Sequence, residues 1–210
     1  MLPGRRRGTV RENIRNRWDH EIIYELIPEG ASVLDLGCGY GELLARLIRN
    51  KEVQGIGIEN DFERVAVSIS KGVPVLQADL DEGLPGLPDH FFDYVILEKT
   101  LQAVKKPLFV LEEMLRVGGA GVISFPNFGH WRVISSLSST GRMPVTAELP
   151  YQWYDTPNIH LFTARDFLDW TRANSVRVEY GVALADGEVV PFDEEYSDRA
   201  EEVLFMVSRS

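Results

Sequence analysis

The chain has 210 residues, 44% of them hydrophobic and 26% charged, a length and balance that suit one α/β domain with a sizeable core and are short for two. Its net charge of −10 argues against a general nucleic-acid-binding surface, which needs clustered Lys and Arg, and no apolar run approaches the roughly 20 residues of a membrane span. The single cysteine, Cys38, excludes an internal disulfide, and with no CxxC or histidine cluster beside it no metal site is expected.

Charge is uneven along the chain. Arg5, Arg6, Arg7, Arg11, Arg15 and Arg17 make the start basic, and residues 1–11 read as a basic, flexible arm. No apolar segment follows these arginines, so no secretory signal is expected and a cytoplasmic location follows by default. Asp186, Glu188, Asp193, Glu194, Glu195, Asp198, Glu201 and Glu202 make the end acidic. Residues 12–210 are expected to form one domain with an aromatic-rich insertion at 126–161.

From Glu12 to Ile27 a helical stripe of Ile14, Trp18, Ile22, Ile23, Leu26 and Ile27 predicts a covering helix, ended by Pro28-Glu29-Gly30. Ser32 to Leu36 reads as a buried strand that carries Asp35 and breaks into Gly37, Gly39 and Gly41. Leu43, Leu44, Leu47 and Ile48 then mark a helix closing near Asn50. Val53 to Glu59 is a second strand with an acid at its end. Phe62, Val65, Ala66 and Ile69 give a helix stripe, stopped by Gly72, and Val73 to Ala78 is a third strand ending at Asp79.

The Gly- and Pro-rich stretch from Asp81 to His90 reads as a surface connection. Phe92 to Leu97 has the continuous apolar character of a strand inside a parallel sheet, with Glu98 at its end. A helix follows from Pro107, closed by Gly118-Gly119, and Gly121 to Phe125 is strand five. Successive strand and helix units make a right-handed, doubly wound, mostly parallel sheet the economical topology. Pro126 to Leu161 breaks this rhythm with Phe128, His130, Trp131, Tyr151, Trp153, Tyr154 and His160 among prolines, and long loops inside compact domains tend to be functional. Thr163 to Ala173 resumes as a helix with a capping box from Thr163 and Asp166. Val176 to Leu184 and Val203 to Ser208 are the last strands, expected to pair as a C-terminal antiparallel hairpin.

Ligands of open α/β sheets bind at the C-terminal strand ends near the switch point. There the main chain of Gly37, Gly39 and Gly41 lets a ligand pass close, with Cys38 between them as a small buried filler. Glu59 can accept both hydroxyls of a ribose. Asp79 with Leu80 can meet an adenine. Asp35 or Glu98 could hold a cationic group such as the amino group of an amino acid. The spacing Gly37-x-Gly39-x-Gly41 differs from the G-x-G-x-x-G of dinucleotide sites.

Asp35-Leu-Gly-Cys-Gly-Tyr-Gly41, Glu59, Asp79-Leu80 and Phe92-Asp93-Tyr94-Val95 resemble the successive motifs of class I S-adenosylmethionine-dependent methyltransferases, which have a Rossmann-like sheet. A narrower resemblance, to the MetW family of methionine biosynthesis proteins, rests on longer strings: Asp79-Leu-Asp-Glu-Gly-Leu, Thr100-Leu-Gln, Ser124-Phe-Pro-Asn-Phe-Gly-His-Trp-Arg132, Gly141-Arg-Met-Pro-Val-Thr146 and Leu149-Pro-Tyr-Gln-Trp-Tyr-Asp-Thr-Pro-Asn-Ile-His160. Tyr40 stands where the family often carries Asp, and Glu98-Lys99 where smaller or neutral polar residues are expected.

The resemblance implies S-adenosylmethionine or S-adenosylhomocysteine as ligand and a role in making methionine in concert with a homoserine O-acyltransferase. It leaves two functions open: methyl transfer to a small molecule, or ligand-dependent regulation of the acyltransferase. Methyl transfer depends chiefly on alignment, so no catalytic residue is demanded; His130 and His160 are the candidates for a base and are equally readable as hydrogen-bonding residues of a packed loop. Asn127, Trp131, Tyr151, Trp153 and Tyr154 are candidates for a substrate or partner surface. Phe125-Pro126-Asn127 lacks the acidic or amide-Pro-Pro-aromatic run of many enzymes that methylate nucleic-acid amino groups, so such a substrate is not expected.

Overall fold

The computed structural model describes residues 17–209. The basic arm of residues 1–11 and the first part of the helix expected from Glu12 lie outside the described residues. Within them the helices are α1 (Trp18–Leu26), α2 (Glu42–Lys51), α3 (Phe62–Ser70), α4 (Pro107–Val117), α5 (Trp131–Thr140) and α6 (Ala164–Ala173). The strands are β1 (Ser32–Leu36), β2 (Gln54–Glu59), β3 (Val75–Gln77), β4 (Phe92–Glu98), β5 (Gly118–Pro126), β6 (Val176–Ala185), β7 (Glu188–Pro191) and β8 (Glu202–Arg209).

All eight strands form one sheet in the order β3-β2-β1-β4-β5-β8-β6-β7. Strands β1 to β5 pair in parallel, and β8, β6 and β7 add in antiparallel fashion. The order reverses at β1 and β4, so the switch point lies where the glycine turn leaves β1. Alternation along the central strands divides the core. Leu34, Val95, Leu97, Ile123, Phe125 and Phe205 point into one layer with Met114 of α4 and Phe167 of α6. Val33, Ile96, Val122 and Leu204 point into the other with Ile23 of α1 and Leu44 and Leu47 of α2. A parallel sheet covered on both faces requires such continuous apolar strands.

Four details differ from the sequence reading. In α3 the buried residues are Val65 and Ser68, while Phe62 and Ile69 are 70% and 56% exposed. The reason is the glycine turn: Ser68 Oγ donates to the Gly39 carbonyl at 3.0 Å, and a Cβ on Gly41 would stand 2.8 Å from that hydroxyl, so only a small residue fits between. The excursion holds a helix, α5, whose serine-rich sequence buries only Val133 and so carries little periodic signal. The acidic loop holds a strand, β7, joined to β6 by Asp186 and Gly187 in left-handed conformations, an Asp-Gly hairpin turn. The two expected C-terminal strands do pair antiparallel, but β8 inserts between β5 and β6.

The capping box of α6 is present, with Thr163 Oγ1 accepting from the Asp166 amide and Asp166 accepting from the Thr163 amide.

Candidate functional site

The site begins where β1 stops being regular. Gly37 has φ +77°, and a Cβ there would stand 2.5 Å from Thr100 Oγ1, so the turn is pressed against the segment after β4. The amides of Gly37 and Cys38 both donate to the Ile58 carbonyl of β2. Gly41, at φ +69°, caps α2 without any side chain, leaving the first-turn amides of that helix to face the cleft. Cys38 packs its sulfur over Gly57, where a Cβ would lie 2.5 Å from Sγ. Burial, with Asp35 and Glu59 nearby, pushes the Cys38 thiol up to about 12, so it is a filler and no thiolate.

Above this turn lies a cleft of ≈590 Å³, within the range of small-molecule sites. Gly37, Cys38, Gly39, Glu59, Asp79, Leu80, Glu98 and Tyr151 line it together. Asp35 lies buried beneath, 3% exposed. Its carboxyl is held well above the usual range first by burial and then by the charges of Glu98 and Glu59, and among the described residues no hydrogen-bond donor offsets this. Three acids thus converge on the strand ends, an arrangement that a cation relieves. Glu59 Oε2 accepts from the Gly39 amide at 3.0 Å, and Oε1 accepts from the amides of Asn60 and Asp61, each at 2.9 Å. Its orientation is therefore fixed, and Arg64 Nη1 stands 4.0 Å from Oε2. Asp79 caps the short helical turn that starts at Leu80.

The floor beyond Asp35 is a charged network that the sequence reading did not contain. His20 Nε2 lies 2.8 Å from Glu98 Oε2. Lys99 Nζ lies 2.9 Å from Glu202 Oε2 and 3.6 Å from Asp19 Oδ2. Trp18 Nε1 donates to Glu202, and Ser124 Oγ donates to Asp19. Burial disfavours a charged Lys99, yet Asp19, Glu202 and Glu98 together hold its ammonium above the ordinary range. Lys99 also sits at φ +46°, a left-handed conformation that costs a non-glycine residue about 1–2 kcal/mol. Only the odd pair Glu98-Lys99 hinted at this network; Asp19 and Glu202 carry no local signal, since β8 must pair with β5 before they meet it.

Asp19 is the strained member, raised from 3.8 to about 7 by burial first and then by Glu98 and Glu202. Between these values the native state holds a proton the unfolded chain has released, so this group lowers stability progressively as pH rises from about 4 to 7. Asp19→Asn should therefore melt increasingly above the wild type as pH rises through that window and converge with it near pH 4. A melting-temperature difference independent of pH would contradict this.

The remaining candidates are scattered. Asn127, expected on a substrate or partner surface, is 2% exposed: its amide donates to the Ser197 and Ala200 carbonyls and accepts from the Gly129 and Ala164 amides. It fastens the start of the excursion to α6 and to the segment before β8, because a buried amide with four partners satisfies every loop end it touches. His130 is buried at the start of α5, outside the cleft, and burial lowers its pKa. His160 is outside the cleft lining too, with Nε2 buried and unpartnered, and its amide donates to the Gln102 carbonyl. Trp131, Trp153 and Tyr154 are exposed and away from the cleft, with Trp153 and Tyr154 edge to face at 5.6 Å.

Among the described residues no helix is long and apolar enough to cross a membrane, and no group of three or more His, Cys, Asp or Glu side chains is placed to hold a metal ion.

Comparison with known proteins adds sequence and fold. The family model described as "Methionine biosynthesis protein MetW" matches residues 17–207. A bifunctional methionine biosynthesis protein MetXA/MetW of Rhodopirellula baltica is 41% identical over 160 residues, 72% of this chain; the match spans 26% of that relative's length. A methyltransferase structure from Thermotoga maritima superposes with TM-score 0.68 at 18% identity, covering 95% of this chain and 94% of that one. One from Mesorhizobium loti gives TM-score 0.65 at 18% identity, covering 93% and 100%. The [4+2]-cyclase SpnF gives 0.66 at 17% identity, covering 97% and 84%. Likeness at this identity shows the fold alone.

Proposed function

Because the chain belongs to the MetW family of methionine biosynthesis proteins and has a methyltransferase-like fold, we propose that it binds S-adenosylmethionine or S-adenosylhomocysteine in the cleft and acts with a homoserine O-acyltransferase. The observation that carries the first part is Asp35, a buried carboxyl group with no hydrogen-bond donor among the described residues, beneath a glycine turn and beside Glu59 and Glu98. The fit is residue by residue. Glu59 offers its carboxylate to the ribose hydroxyls, Asp79 and Leu80 flank the place of an adenine, and Asp35 with Glu98 answers an ammonium or sulfonium charge. When bound, S-adenosylmethionine would supply an electrophilic methyl group; the protein's part is to hold and orient it.

The partnership rests on the relative that carries MetXA and MetW in one chain. Methionine is the precursor of the proposed ligand, so its occupancy of the cleft would report end-product level to the acyltransferase, and a coupling of about 1–3 kcal/mol between sites suffices. The second reading, methyl transfer to a small molecule, is supported by a cleft whose lining also includes Glu148, Tyr151 and Asn158.

Calorimetry with either ligand should show binding and a raised melting temperature. Absence of both would overturn the two readings together. Co-purification with the acyltransferase, followed by acyl-transfer assays with and without this chain and ligand, separates them: a stable complex with altered acyl transfer supports the partnership, and methyl turnover with no complex removes it.

A further inference from the structure

The excursion between β5 and α6 is a lobe pinned at its neck. Asn127 at its start accepts the Ala164 amide at its end, the Phe128 amide donates to the Phe162 carbonyl, and the Phe125 and Phe162 rings stand 4.6 Å apart. The helix in this lobe is turned inside out. Trp131, Ile134 and Leu137 of α5 fall within an arc of roughly 120° and are 48%, 54% and 45% exposed, while Val133 is the one buried residue of the helix. An apolar stripe of this kind ordinarily faces a core. Beyond the helix Met143, Trp153 and Tyr154 are exposed as well. Trp131, Trp153 and Tyr154 together leave roughly 400 Å² of aromatic surface in solvent. That is about half of the roughly 800 Å² that each side of a stable complex buries, before Ile134, Leu137 and Met143 are added.

The composition says what kind of surface meets this one. The stretch from Trp131 to Leu161 holds four charged side chains, Arg132, Arg142, Glu148 and Asp155, and no lysine, about half the charge density of the whole chain. Aromatics, Met and Arg with few Lys, Glu and Asp are the make-up of a protein interface. A lipid surface does not match, because interfacial helices carry Lys and Arg on the polar face; α5 has serines there, and its one arginine, Arg132, is paired with Glu201 and Asp186. We propose that this face of the lobe, Trp131, Ile134, Leu137 and Met143 with Trp153 and Tyr154, is the docking surface for the homoserine O-acyltransferase, a claim that rests on the partnership proposed above. That enzyme is a better occupant than a second copy because a relative carries MetXA and MetW in one chain, a linkage that keeps the two surfaces within reach of each other. The position also gives a route for regulation. The lobe lends Glu148, Pro150 and Tyr151 to the cleft, so a ligand in the cleft and an enzyme on Trp153 and Tyr154 bear on the same short segment.

Calorimetry of the full chain against the purified acyltransferase tests the surface. Ile134→Glu and Trp153→Ala should each weaken the complex about thirtyfold or more, as loss of an interface anchor does. Both should keep the melting temperature and the S-adenosylhomocysteine affinity of the wild type, since both side chains are exposed and outside the cleft lining. Phe62→Glu, at a still more exposed apolar position on α3, should leave the complex unchanged. A complex as tight with both lobe variants as with the wild type would overturn the surface and leave the partnership standing, and so would a complex that Phe62→Glu weakens while the lobe variants do not. Sedimentation in which the lobe variants lose only self-association, with acyltransferase binding unmoved, would give the face to a second copy and overturn the proposal. If the wild type does not bind the acyltransferase at all, the partnership fails first and the docking surface falls with it.

Discussion

Binding of S-adenosylmethionine should release a proton and tighten as pH rises, and both effects should vanish in Asp35→Asn. Burial and the neighbouring Glu98 and Glu59 hold the Asp35 carboxyl well above the usual carboxylate range. A cationic ligand reverses that preference, so occupancy expels the proton, and affinity rises by up to about tenfold per pH unit below the raised pKa. Calorimetry in buffers of different ionisation enthalpy reads the proton directly. At pH 8 the Asn variant should bind about a hundredfold more weakly, the size of a lost charged contact in a dry site. Its unliganded melting temperature should equal or exceed that of the wild type, since an unpaired buried acid is gone. A ligand that binds with no proton exchange, or an Asn variant that binds as well as the wild type, would remove Asp35 from the site.

Lys99→Met is expected to cost about 3–5 kcal/mol of stability, because it leaves Asp19 and Glu202, both almost fully buried, facing each other and Glu98 without a cation. For a chain of this size that is a fall of roughly 6–20 °C in melting temperature. Combining Lys99→Met with Glu202→Gln should restore much of the loss, since the second change removes one of the uncompensated charges. Thermal melts of the two singles and the double form a mutant cycle. A single variant that melts within a degree or two of wild type would show that solvent reaches the network and does Lys99's work.

The strand and turn at the switch point were legible because they are written locally: a run such as Val33 to Leu36 followed by Gly37, Gly39 and Gly41 declares both. The acids around the glycine turn were legible for the same reason, each of Asp35, Glu59 and Asp79 standing in or just after its own strand. The charged floor was not. Asp19 and Glu202 are 183 positions apart in the chain and meet only because α1 and β8 both cross the β4 end. Asn127 read as a surface residue because polar residues in loops are usually exposed, while here its amide stitches three loops together. Phe62 and Ile69 read as core because helical periodicity reports amphipathicity but not which face wins; Ser68 won because the turn at Gly39 and Gly41 leaves no room for more. The Asp186-Gly187 turn was a fair hairpin signal that the surrounding acids masked.

Trp18 and Glu202 are bonded across most of the chain, and that sets an order of events during synthesis. Strands β1 to β5 and their helices can emerge from the ribosome and pair in turn, each new unit finding its neighbour already made. The first described helix can pack on α2 and pair His20 with Glu98 early, but Trp18 and Lys99 have no acid on β8 to meet until residue 202 has emerged. For most of translation the nascent chain therefore carries a β5 edge that is waiting for β8, the state in which an unpaired strand is most exposed to wrong partners. Synthesis of β8 closes the edge, adds the Trp18 bond to the first helix and completes the charged floor of the cleft in one step. A ligand that requires that floor should discriminate between a chain that includes β8 and one that stops before it.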